Sequence, residues 1–63
     1  MKAKNVIRTS GTILELLEEP KGYIFQTDVG MKLKVYSDRD GLKVGQKVYI
    51  VAEWLTKNIV KVI

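Results

Sequence analysis

The chain contains neither cysteine nor histidine, and it has a single proline and a single tryptophan. Without cysteine, neither disulfide bonds nor zinc-bound thiolates can hold the 63 residues together. Without histidine, the commonest general base and the commonest metal ligand are both missing. The sequence therefore predicts a chain that folds by packing alone, holds no metal or other cofactor, and is not an enzyme.

Long apolar runs are also missing. No stretch approaches the roughly 18 apolar residues that a membrane-spanning helix needs. Residues 1–11 are basic but lack the apolar segment of a signal peptide. We therefore expect a cytoplasmic chain that makes no contact with a membrane.

The acidic residues do not form a recognisable catalytic group. Glu15, Glu18 and Glu19 cluster in one segment, but no nucleophile or metal-binding pattern accompanies them. A catalytic site needs such partners within reach of the carboxylates. The cluster therefore predicts a solvated acidic edge.

What the chain does have is a globular composition and an excess of positive charge. Hydrophobic residues make up 46% of it, which is typical of a folded domain. Its length allows one domain, residues 1–63. Eleven lysines and arginines face seven acidic residues, giving a net charge of +4. This balance suits a partner that carries phosphates.

Apolar and β-branched segments separated by turn residues predict five short strands and no helix. Gly11 falls inside the first strand, where a glycine predicts a bend or bulge. Five strands in so short a chain predict an all-β, five-stranded Greek-key barrel. The predicted strands cover residues 6–18, 23–27, 31–37, 47–55 and 58–63.

The turn between the second and third strands sets which side chains face the core. Asp28-Val29-Gly30 fits a three-residue loop in which Gly30 takes the left-handed conformation. Thr27 then lies opposite Met31, whereas a two-residue turn would bury Gln26 and Asp28. The inward set is Tyr23, Phe25, Met31, Leu33 and Val35, and the outward set is Ile24, Gln26, Lys32, Lys34 and Tyr36.

The last hairpin is predicted by the same reasoning. If Asn58 takes the left-handed position, Leu55 faces Ile59 and Trp54 faces Val60. Glu53 and Lys61 then form a cross-strand pair on the outside. The predicted inward residues are Val48, Ile50, Ala52, Trp54, Val60 and Val62, and the first strand is expected to cover part of the outward apolar residues and close the barrel.

The order of these segments resembles that of an OB-fold, and within it bacterial translation initiation factor one and S1-like domains. The matching pieces are GTILELL, YIFQTDVGMKLKVYS, LKVGQKVYIVAEWL and NIVKVI. The resemblance implies a helix between the third and fourth strands. Only residues 38–45 are available for it here, so we expect that helix to be shortened or absent.

In an OB-fold the ligand crosses the second and third strands between the loops that join strands one to two and four to five. Lysines there neutralise phosphates, and a base can stack on an exposed tyrosine. The resemblance thus implies a protein that binds single-stranded RNA or DNA with low sequence specificity. The expected binding residues are Ile24, Gln26, Lys32, Lys34 and Tyr36 on the face, and Lys21 and Lys57 in the loops.

The same sequence is compatible with two other functions and one other fold. The chain could be a structural or oligomerising barrel that assembles through exposed apolar residues, with Val51, Leu55, Ile59 and Ile63 as the candidates. The stretch GLKVGQKVYIV also resembles the molybdate-binding TOBE/Mop family, which implies anion binding, although the serine- and threonine-rich ligand segment of that family is missing. An SH3-like barrel, with its binding surface elsewhere, is a further alternative for the fold.

Overall fold

A computed structural model describes residues 5–63, which form five β-strands. The predicted number and order of strands are confirmed. Lys21, expected in a loop, is instead the first residue of the second strand. The strands are β1 (Val6–Glu18), β2 (Lys21–Thr27), β3 (Lys32–Tyr36), β4 (Lys47–Thr56) and β5 (Ile59–Val62).

The strands close into a barrel in the order β1-β2-β3-β5-β4. The long strand β1 pairs antiparallel with both β2 and β4, which closes the ring as predicted. The short strand β5 lies between β4 and β3 and runs parallel to β3. This all-β, five-stranded closed topology is that of a small OB-like barrel, as the sequence predicted.

The core lies inside the ring and takes side chains from every strand. Leu33 and Val35 are fully buried, so the predicted orientation of β3 is confirmed. Burying a side chain of this size contributes about 1.5–3 kcal/mol. Met31 does not join them, because it precedes β3 at the hairpin tip and remains 41% exposed. The buried apolar residues are Ile13, Tyr23, Phe25, Leu33, Val35, Val48, Ile50, Ala52 and Val60, and Trp54 and Val62 pack against them while partly buried.

The turn between β2 and β3 has the predicted form. Thr27 N–H donates to the Met31 carbonyl at 2.8 Å, and Gly30 N–H donates to the Thr27 carbonyl at 2.9 Å. Gly30 has a φ of 90°, a conformation that residues with a Cβ rarely adopt. The Thr27 hydroxyl also accepts a hydrogen bond from Met31 N–H. The three-residue loop therefore fixes which side chains of this hairpin face outward.

The turn between β4 and β5 differs from the prediction. Trp54 pairs with Val60 as expected, but Thr56, rather than Leu55, lies opposite Ile59. Among residues 5–63, positive φ values occur only at glycines, so Asn58 is not left-handed. An irregularity between Trp54 and Thr56 makes Leu55 an extra residue in the strand. That extra residue absorbs the register difference, and no left-handed residue is needed.

Gly11 marks a close approach between strands and not the predicted bulge. The irregularity of β1 falls instead between Ile13 and Glu15. A Cβ added at Gly11 would collide with the Gln26 carbonyl oxygen and lie 2.7 Å from Cζ of Phe25. The absence of a side chain therefore lets β1 and β2 pack closely while both contribute to the core.

The segment between β3 and β4 contains no helix. Residues 37–46 form an irregular loop, and its Leu42 packs against the core. The loop is tied back to β1, because Gly45 N–H donates to the Ile13 carbonyl at 2.7 Å and Ile13 N–H donates to the Gln46 carbonyl at 3.0 Å. The expectation of a shortened or absent helix is therefore correct.

Replacing Gly11 with alanine should destabilise the barrel. The new methyl group meets a backbone oxygen and a buried ring, and overpacking of this kind typically costs about 1–3 kcal/mol. Urea denaturation should show a lower midpoint for Gly11→Ala. The neighbouring outward-facing Thr12→Ala is the control, expected to stay within about 0.5 kcal/mol of the parent. Equal midpoints for Gly11→Ala and the parent would show that β1 and β2 can separate at little cost.

Candidate functional site

The outer face of β2 and β3 brings the predicted binding residues together. Lys34 is the direct neighbour of Ile24, and Lys32 that of Gln26. Lys32 is exposed, and the other four face residues are half-buried. Because Leu33 and Val35 are held in the core, Lys32, Lys34 and Tyr36 must alternate with them on the outside. We call the surface formed by Ile24, Gln26, Lys32, Lys34 and Tyr36 the β2–β3 face.

Lys34 and Tyr36 interact on this face. The Lys34 ammonium lies 5.6 Å from the centroid of the Tyr36 ring, within the range of a cation–π contact. Such a contact at an exposed site contributes about 0.5–1 kcal/mol. It places a positive charge and an aromatic ring side by side on the outer face of β3.

The two predicted loop lysines lie at opposite ends of the β2–β3 face. Lys57 is in the turn between β4 and β5, next to the start of β3, since Lys34 N–H donates to the Asn58 carbonyl at 2.9 Å. Lys21 is at the other end, where its carbonyl accepts a hydrogen bond from Ser37 N–H at 3.3 Å. One lysine therefore lies at each end of the β2–β3 face.

Lys21 is engaged by the loop that follows β3. Its ammonium forms an ion pair with the Asp40 carboxylate and donates to the Asp38 carbonyl at 3.2 Å. The hydrogen bond and charge of Lys21 lower the pKa of Asp40 below its usual value. Because the folded pKa is lowered, the pairing is present above the ordinary carboxyl pKa and is lost as the pH falls through the folded pKa. At neutral pH, Lys21 is thus partly neutralised.

A groove adjoins Tyr36 at the end of β3, and it includes two cations that the sequence analysis missed. Lys61 is the β5 neighbour of Tyr36 across the parallel pairing. Arg39 follows β3 in the loop and is exposed. Together with Pro20, Lys21 and Leu55, these residues line a groove of about 640 Å³, which we call the Tyr36 groove. The β3–β5 pairing of an OB-like barrel could have predicted that Lys61 lies beside Tyr36. No local sequence pattern indicates the position of Arg39.

Arg39 also borders a second concavity, a cleft of about 340 Å³ at the end of the barrel. The buried Tyr23 lines the same cleft. Burial raises the pKa of the Tyr23 phenol, and the positive charge of Arg39 partly offsets that increase. Arg39 is therefore close enough to act electrostatically on both concavities.

The four apolar residues considered for oligomerisation lie on β4, on β5 and directly after β5. Val51 and Ile63 are neighbours, since Ile63 N–H donates to the Val51 carbonyl at 3.1 Å. Ile59 lies beside Lys34, and Leu55 lines the Tyr36 groove. Tyr49, two residues from Val51 on the same side of β4, is 63% exposed, and Ile63 is 68% exposed. The exposed Tyr49 and Ile63 therefore lie beside the half-buried Val51.

In residues 5–63, acidic side chains do not gather in groups of three or more that could hold a metal ion. Within the same residues, no helix has the length and apolar character needed to cross a membrane.

Comparisons with protein-family models, with curated proteins and with solved structures give no match to this chain.

The ion pair at the end of the β2–β3 face can be tested by titration. NMR titration of the carboxylates should give a pKa for Asp40 below the usual range, and Lys21→Gln should raise it toward that range. Asp28 provides a matched comparison, because the Ser10 hydroxyl and the nearby Lys47 lower its pKa in the same direction. Lys47→Gln should raise the pKa of Asp28 and leave Asp40 unchanged. An Asp40 pKa that does not change in Lys21→Gln would contradict the ion pair between Lys21 and Asp40.

Proposed function

We propose that this chain is a non-enzymatic nucleic-acid-binding module that holds single-stranded RNA or DNA across the β2–β3 face with low sequence specificity. The observation that carries the proposal is the alternation of β3, which keeps Leu33 and Val35 in the core and presents Lys32, Lys34 and Tyr36 outward. The strand would contact these side chains through its phosphates and one of its bases.

The chemistry of the face favours a single strand over a duplex. A base can stack on a tyrosine ring only when it is free of its own neighbours, and stacking of this kind contributes about 1–3 kcal/mol. Lys32, Lys34 and Lys57 offer charge to the phosphates without base-specific hydrogen-bonding geometry. Affinity should therefore depend strongly on salt and weakly on sequence.

The OB-like topology supports the position of the site. In OB-folds the ligand lies on the face of strands two and three between two loops, and Lys21 and Lys57 lie at the corresponding ends here. Bacterial translation initiation factor one and S1-like domains, which the order of segments resembles, lend support at the level of fold. The choice between RNA and DNA belongs to the binding experiment.

Binding of labelled mixed-sequence oligonucleotides should test the proposal. With four or five phosphate contacts, the logarithm of the affinity should fall against the logarithm of the salt concentration with a slope of roughly −3 to −3.5. Lys32→Gln and Lys34→Gln should each weaken binding and make the slope shallower by about 0.7.

Lys43→Gln is the matched control, because Lys43 is exposed in the loop before β4 and lies outside the β2–β3 face. It removes the same charge from the chain and should change the affinity only slightly. An equal loss in all three variants would point to a diffuse effect of net charge. Absence of binding at about 50 mM salt would reject the proposal.

Self-association is a second candidate function, favoured by the exposed Tyr49 and Ile63 beside the half-buried Val51. Clustered exposed apolar side chains often mark an interface. Sedimentation equilibrium should then show a concentration-dependent dimer that Ile63→Lys converts to a monomer. A parent chain that sediments as a monomer at all accessible concentrations would remove this candidate.

A further inference from the structure

We infer that the Tyr36 groove is a pocket for one nucleotide unit, with the base beside the Tyr36 ring and the phosphate held by Arg39 and Lys61. The inference rests on the proposed function, and it adds a discrete pocket and two binding residues beyond the β2–β3 face. It further implies that a nucleoside monophosphate binds there as a free ligand.

The shape of the groove suits such a unit. The groove combines the aromatic Tyr36 with the apolar Pro20 and Leu55, and its volume is about 640 Å³. This volume falls within the range of small-molecule sites, which are mostly apolar with a few placed polar groups. A flat, apolar-faced base matches the ring and its apolar neighbours, which gives the groove a platform that a bare phosphate would not use.

The charges of the groove suit the phosphate. Its lining contains three cations and one carboxylate, that of Asp38. One of the cations, Lys21, is paired with Asp40, which lines the neighbouring cleft. Among residues 5–63, the carboxylates that form salt bridges are those of Asp40, with Lys21, and Asp28, with Lys47. Arg39 and Lys61 take no part in these two ion pairs, and Lys61 lies opposite Glu53 of β4. Arg39 can engage a phosphate with two parallel N–H bonds.

The contact between Lys34 and Tyr36 and the Tyr36 groove involve different parts of the chain. Lys34 precedes Tyr36 on the strand, whereas Arg39 follows it, and Pro20 comes from the loop at the same end. Lys34 and Arg39 therefore adjoin Tyr36 from opposite directions along the chain, and Arg39 lines the groove. A bound strand could keep one phosphate at Lys34 and place the next nucleotide in the groove.

The experiment follows backbone amide shifts by NMR during titration with adenosine 5′-monophosphate, ribose 5-phosphate and inorganic phosphate. Adenosine monophosphate should shift residues 36–39 and 61–62 at concentrations where the other two probes cause much smaller changes. Tyr36→Leu should weaken its binding roughly 5- to 150-fold, and Tyr36→Phe should retain it, because stacking needs the ring and not the hydroxyl. Arg39→Gln and Lys61→Gln should each weaken it about 2- to 5-fold, and Lys43→Gln should leave it unchanged.

The outcomes separate this inference from the proposed function. If oligonucleotides bind at the β2–β3 face while adenosine monophosphate leaves the groove unshifted, the pocket is rejected and the proposed function stands. If inorganic phosphate shifts the same residues as strongly as adenosine monophosphate, the groove recognises phosphate only and the inference fails. If the mononucleotide binds and oligonucleotides do not, the pocket stands and the proposed function fails. Retained amide dispersion in Tyr36→Leu shows that the variant is folded, and the Arg39 and Lys61 variants test the pocket independently of it.

Discussion

Neighbouring backbones approach each other closely at Gly11 and Gly22, and this close contact sets the spacing of three strands. At Gly11 the absence of a Cβ leaves room for the Gln26 carbonyl and the Phe25 ring. At Gly22 an added Cβ would collide with the Val35 carbonyl oxygen and lie 3.0 Å from its carbonyl carbon. These two contacts join β1 to β2 and β2 to β3 at separations that other residues would widen. The ring closes with five strands, and each of them contributes apolar side chains to its interior.

The tight interior determines what the exterior can present. Strands this short have few alternating positions, so each inward residue fixes the side chain next to it on the outside. On β3, the burial of Leu33 and Val35 leaves two lysines and a tyrosine outward within five residues. A shift of this strand by one residue would place lysines in the core, at a cost of several kcal/mol for each unpaired charge. The same register of β3 therefore determines both which side chains stabilise the core and which form the proposed binding surface.

The sequence was sufficient for features that depend on local chemistry. Asp28-Val29-Gly30 specified the first hairpin, because a glycine with positive φ and a three-residue loop leave one register. The second hairpin was partly wrong, because Asn58 can be left-handed in principle and only the packing of β4 against its neighbours shows that Leu55 is the extra residue. Met31 was placed inward from alternation alone, and its position at the hairpin tip exposes it. Arg39 and Lys61 were not predicted as neighbours of Tyr36. Arg39 lies near it through the conformation of a loop, and Lys61 through the parallel pairing of two distant segments.

The parallel pairing of β3 with β5 has a consequence for how the site comes into being. Lys34, Val35 and Tyr36 lie beside Ile59, Val60 and Lys61, so the two walls of the groove are separated by more than twenty residues of chain. Contacts between such distant segments form only after the intervening chain has been organised, and they are typical of slow-folding β-proteins. An excised β2–β3 hairpin would carry the lysines and the tyrosine but no pocket. The Tyr36 groove therefore exists only once β3 and β5 have paired.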